Sequence, residues 1–283
     1  MEEKENHFKK LRFIAEQIFF GKNIEEKLIS NEQFANIVPS LKIPRVDGIF
    51  QKPNRSNLLQ FSEKKIKFPS SKNLNSNLNR ALTLHSFANH ELMAIELMAY
   101  ALLNFSFSEK GEQNLDVGIY SALVDEQKHL QLYINRINDL GYQFGDFPLN
   151  DFLWKNCSRA KNLSEFMSLV ALTFESANLD FSYFYATIFR ELGDEVTAKV
   201  MDIIYLDEIK HVKIGMKYLS KKAVSENCAL WKYYQNNLPI PMTPARSKGL
   251  NYQRLHRERV GFDNDFILEL EKYDDHFPVT KRK

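Results

Sequence analysis

The chain has 283 residues, 44% apolar and 26% charged, enough to bury one sizeable core and carry extensions. Its 38 basic and 36 acidic side chains leave a net charge of +2, which argues against a dedicated nucleic-acid binder. Cys157 and Cys228 form no Cys-x-x-Cys pair and read as free thiols in a reducing compartment.

With 22 Phe and 12 Tyr against 10 Gly and 9 Pro, long helices are expected rather than many turns. The chain opens Met1-Glu2-Glu3-Lys4-Glu5, and Glu16 and Gln17 interrupt the apolar stretch Phe13 to Phe20. That is neither a signal peptide nor a membrane span, so the expected location is cytoplasmic, with no membrane partner. Phe8, Leu11, Ile14, Ala15 and Ile18 recur at helical spacing and predict a helix over 5–21. From 36 to 76, Pro39, Pro44, Pro53 and Pro69 among Ser and Asn predict a long arm.

The central block predicts four helices. The first spans 77–106, with Leu84, Phe87, Ile95, Met98 and Leu102 in its stripe; the second spans 111–140 and stops at Gly141. About twenty residues then connect to a third helix over 165–191, with Ser164 as its expected cap. Gly193-Asp194 opens a fourth that runs to Ser220. Two helix pairs joined by one long crossover is the connectivity of a ferritin-like four-helix bundle. The expected architecture is therefore all-α: an N-terminal helix and arm (1–76), a bundle (77–222) and a C-terminal extension (223–283). In that extension a final amphipathic helix is expected over 252–272.

The second and fourth helices share a motif. Asp125-Glu126-Gln127-Lys128-His129 and Asp207-Glu208-Ile209-Lys210-His211 both read Asp-Glu-x-Lys-His, 82 residues apart (207 − 125). Positions i and i+3 lie one turn apart on the same helix face, so each Glu and its His can converge on one metal ion. Each motif follows a helix with an acid in its apolar stripe: Glu91 lies 35 residues before Glu126 (126 − 91) and Glu175 lies 33 before Glu208 (208 − 175). In antiparallel pairs those separations place the acids at similar heights. One Glu-x-x-His is weak evidence; two copies with matching Asp, Lys and upstream acids are strong.

The stretches HSFANHELMAIELMAYALL, VDEQKHLQLY, TFESANLDF and LDEIKHVKIG resemble the DUF455 family of ferritin-like proteins. The resemblance covers 80–220 closely and Pro239 to Phe262 more loosely. It implies a ferritin-like bundle with a dinuclear carboxylate site, in a superfamily that includes ferritins, rubrerythrins, ribonucleotide reductase small subunits and diiron hydroxylases. It brings no substrate. Oxygen-rich ligation with one imidazole per metal suits two iron ions, with manganese or a mixed Mn/Fe pair as variants. Glu126 and Glu208 are the candidate bridges, Glu91 and Glu175 the terminal carboxylates, and His129 and His211 the nitrogen ligands. Glu96, five residues past Glu91, is the alternative first-helix ligand. By resemblance, Asp125 would accept from the outer N–H of His211, and Asp207 from that of His129.

His85 and His90 have no repeat behind them and read as structural histidines; Tyr133 reads as core. Arg246, Lys248, Arg254, Arg257 and Arg259 read as a solvated basic face, with RNA the less favoured explanation. The leading functional expectation is an O2-activating oxidoreductase acting on a small molecule, as a monomer or homodimer, with an electron-donor protein. The alternatives are iron handling (ferroxidase, storage or peroxide scavenging) and a metal-bearing binding scaffold. A metal-free buried network is disfavoured, because burying several carboxylates without cations is costly.

Overall fold

The computed structural model describes residues 2–28, 52–64, 67–105 and 114–275, and for residues 2–9 the backbone alone. The described residues are helical, with no strand and one isolated bridge between Phe61 and Leu149. Among them no helix is long and apolar enough to cross a membrane. Much of the expected arm (36–51, 65 and 66, with Pro39 and Pro44) and the expected helix ends at 106 and 111–113 lie outside the described residues. The chain divides into two compact units, Met1–Ser158 and Arg159–Lys283, and the break falls inside the long connection.

In the first unit, α1 (Glu2–Phe20) buries Leu11, Ile14, Ala15, Ile18 and Phe19, a stripe that matches the expected periodicity. After the short α2 (Ile24–Lys27) the chain returns at Asn54 and Ser56, whose N–H groups bond to Phe19 O and Lys22 O at 3.1 and 2.7 Å. Helix α3 (Asn77–Asn104) starts where Ser76 Oγ accepts the Asn79 N–H. It is buried nearly all round because α1 and the two helices that follow, Leu115–Asp139 and Phe152–Cys157, pack on it. Helix α4 (Leu115–Asp139) returns antiparallel: Glu91 in mid-α3 lies beside His129 in mid-α4, while Gly145 beyond α4 reaches back to His85 near the start of α3. Gly141, at φ +90°, ends α4 as expected. Within the connection, α5 (Phe152–Cys157) buries Trp154, whose ring lies 5.7 Å from Tyr100 and 5.9 Å from Phe19.

In the second unit, α6 (Leu163–Leu169), a π-helical segment (Val170–Glu175) and α7 (Ser176–Glu191) follow one another with helical backbone at both junctions. The cap is Asn162, whose Oδ1 accepts the Glu165 N–H at 2.9 Å, not Ser164. Ser164 is buried instead, its hydroxyl paired with those of Tyr218 and Tyr233. Helix α8 (Glu195–Ser225), capped by Asp194, runs past the expected end at Ser220 and packs antiparallel on α7, so that Arg190 meets Asp202 and Asn178 meets Glu208. Then come α9 (Leu230–Asn236), α10 (Arg254–Val260) and α11 (Asn264–Lys272). The single helix expected over 252–272 is thus two. Gly261, at φ +99°, closes α10, and Asp263 opens α11 by accepting the Phe266 N–H at 2.7 Å.

Candidate metal centre

Helices α3 and α4 bring Glu91, Glu126 and His129 together. One ligand atom from each lies within 4.8 Å of the others, and all three residues are buried. His129 presents Nδ1 to the acids, 3.4 Å from Glu126 Oε2 and 3.7 Å from Glu91 Oε2. The i, i+3 spacing on α4 puts Glu126 and His129 on one face, and α3 supplies Glu91 from across the hairpin. Burial, with the Glu126 carboxylate beside it, pushes the Glu91 carboxyl well above the usual carboxylate range, although His129 draws it down. Two acids crowded in this way share either a proton or a cation.

The second hairpin repeats the arrangement with Glu175, Glu208 and His211, again buried and with ligand atoms within 4.8 Å of one another. His211 Nδ1 lies 3.3 Å from Glu208 Oε2. Among the described residues that oxygen accepts no hydrogen bond, while Oε1 accepts one from Asn178 Nδ2 at 2.7 Å. Glu175 is the last residue of the π-helical segment. Such segments shift the residues that follow around the helix axis and are frequent at functional sites. Each hairpin therefore offers two carboxylates and one imidazole in a buried setting, a donor set that fits a divalent ion of the iron or manganese kind. These clusters could hold metal.

The family described as "Protein of unknown function (DUF455)" matches residues 20–268, which include both hairpins. The chain belongs to the DUF455 family. A similar protein from Haemophilus influenzae, named "Uncharacterized protein", is 27% identical over 215 residues, 71% of this chain and 74% of its own. No solved structure matches.

Other expected residues of this DUF455 chain fall as follows. Glu96 is fully buried, but its oxygens are held by Arg55 Nη2 at 2.6 Å, Arg55 Nε at 3.0 Å and Lys27 Nζ at 3.0 Å. Its counterpart Asp180, five residues past Glu175, accepts from Gly249 N, Gln253 N and Arg257 Nη1, with His256 Nδ1 at 3.0 Å. Both acids are thus anchor points for the flanking extensions. Arg257 is not part of a solvated face: it is fully buried, donating also to Ser176 O and Ser247 O. Arg259 is exposed, as expected, with Nη1 3.0 Å from Tyr205 Oη.

Asp207 is buried and accepts from Lys210 Nζ at 2.7 Å, while Asp125 is half-buried. His85 is the hydrogen-bonded structural residue expected of it: Nε2 accepts the Gly145 N–H at 2.9 Å, and burial pushes its pKa down to about 4. His90 is exposed, and Tyr133 is buried in the core. Asn178 escaped the sequence reading, although it lies one helical turn past Glu175 on the same side of the helix. Cys157 and Cys228 are free thiols.

Proposed function

We propose that Glu91, Glu126, His129, Glu175, Glu208 and His211 hold two iron or manganese ions in one dinuclear centre, within a ferritin-like bundle formed by the two hairpins, and that the protein is an O2-activating oxidoreductase. The observation that carries this reading is the repetition: each hairpin independently buries two carboxylates and an imidazole. Four carboxylates would offset the charge of two divalent ions, which explains why so many acids sit where a metal-free interior would penalise them. Bound in the reduced state, the ion pair would supply two of the four electrons that take dioxygen to water, the other two coming from the substrate or from a donor protein.

The chain's own part is orientation and exclusion of water. Both histidines present Nδ1 to their carboxylates. Asp125 and Asp207, each accepting the Nε2–H of the opposite hairpin's histidine, would fix that tautomer and raise the basicity of Nδ1. Ile95 and Leu179, each four residues past its ligand acid, are fully buried and keep the ligand helices in apolar surroundings.

Iron storage is the weaker reading. Storage subunits are compact bundles, whereas each hairpin here is tied to an extension through a buried acid. The test is elemental analysis of anaerobically purified protein, followed by oxygen uptake of the reduced form. About two ions per chain and uptake well above the metal-free protein are expected, as for dinuclear oxidases. Glu126→Ala and His211→Ala should lose both. Wild-type metal content in both variants would remove these residues from the site.

A further inference from the structure

The two half-sites repeat one another in sequence but not in how their motif glutamates are held. Glu208 has one oxygen occupied by the Asn178 amide, 2.7 Å away, and offers Oε2 beside His211. Residue 178 follows the ligand acid Glu175 by three positions, and the position that follows Glu91 by three is Ala94, which has no donor. Both lie one turn past the corresponding acid, and Asn178 faces the motif helix of its hairpin, where it meets Glu208. The first hairpin therefore cannot make this bond from the matching position.

We infer that Asn178 makes the two metal positions unequal, so that the ion in the second hairpin binds after, and more weakly than, the ion in the first. This rests on the dinuclear reading above. A hydrogen bond to a charged carboxylate is worth about 1.5–3 kcal/mol; here it draws charge from Glu208 and fixes its orientation, so an ion in the second hairpin would meet a weaker and less adaptable oxygen donor. Oε2, which lies beside His211 and accepts no hydrogen bond among the described residues, is the oxygen that Glu208 offers. Asn178 acts through Glu208, so it is a positioning residue rather than a catalytic one. It would let the centre take two different ions in order, the first hairpin's position filling at metal concentrations that leave the second empty.

The test is anaerobic titration of the full-length protein with Mn(II), free Mn(II) being read by its electron paramagnetic resonance signal. The wild type should bind two ions in two steps separated by about tenfold or more in affinity, the factor corresponding to 1.4 kcal/mol. Asn178→Ala should tighten the second step by about that factor and leave the first within about twofold. Asn178→Asp, which removes the donor and adds a carboxylate, should also tighten the second step, whereas a merely structural role would weaken it in both variants. Two equal steps in the wild type, or an unchanged ratio in Asn178→Ala, would overturn the inference while leaving the dinuclear reading standing. Fewer than two ions bound at saturation would remove the dinuclear reading and the inference with it.

Discussion

The first hairpin and the second solve the same problem with different interiors. Both place an acid in mid-helix and Glu-x-x-His opposite, and both put a second acid five residues on. In the first hairpin that second acid, Glu96, receives Lys27 and Arg55 from the N-terminal side; in the second, Asp180 receives His256 and Arg257 from the C-terminal side. At one matching level the first hairpin has Phe87 and Tyr133 with rings 5.8 Å apart, and the second has Ala171 and Gly215 (171 − 87 = 84; 215 − 133 = 82). A Cβ on Gly215 would lie 2.3 Å from that of Ala171, so small residues there let α8 approach the π-helical segment closely. The Glu and His clusters are repeated, whereas the packing that supports them is particular to each hairpin.

The largest test of this comparison is removal of the anchoring acids. Glu96→Ala leaves Lys27 and Arg55 without their buried carboxylate, and Asp180→Ala does the same to Arg257. Each should cost about 3–5 kcal/mol, the usual loss when one partner of a buried ion pair is removed. Denaturant unfolding of both variants measures it. A loss below about 1 kcal/mol in either, the value of an exposed pair, would break the proposed equivalence of the two anchors.

His85 has Leu169 as its counterpart (169 − 85 = 84), so its titration belongs to the first hairpin alone. Its pKa is depressed from 6.5 to about 4 by burial. Between those values the unfolded imidazole takes up a proton that the folded one refuses. Its contribution is therefore fully present above pH 6.5 and is lost as the pH falls toward 4, by about 3 kcal/mol. Comparing His85→Gln with the wild type at pH 7 and pH 4 isolates this; parallel losses in the two would contradict it. The smallest effect is expected for Gly215→Ala, about 1–3 kcal/mol of overpacking confined to the second hairpin. A neutral result in thermal unfolding would mean that the helices separate there at little cost.

The helices, the turn at Gly141 and the two buried clusters of Glu and His were legible in the sequence because each follows from short-range periodicity: apolar residues at helical spacing, Glu and His one turn apart, acids matched across a hairpin. What the sequence did not disclose depends on distant partners. Arg257 lies 77 residues from Asp180, and Arg55 lies 41 from Glu96, so neither pairing leaves a local signal. The π-helical segment 170–175 has the composition of an ordinary helix. Gly261-Phe262-Asp263 does carry a local stop and cap signal for the division of the final helix, which the expectation of one helix over 252–272 leaves out.

The most direct test of a shared dinuclear centre is the metal–metal separation in iron-loaded protein by X-ray absorption. An Fe–Fe distance of about 3.5–4 Å is expected, as in other two-metal sites, abolished in Glu126→Ala and in Glu208→Ala alike. Iron bound at full occupancy with no metal neighbour would show that the two hairpins hold separate ions, and would contradict a shared centre.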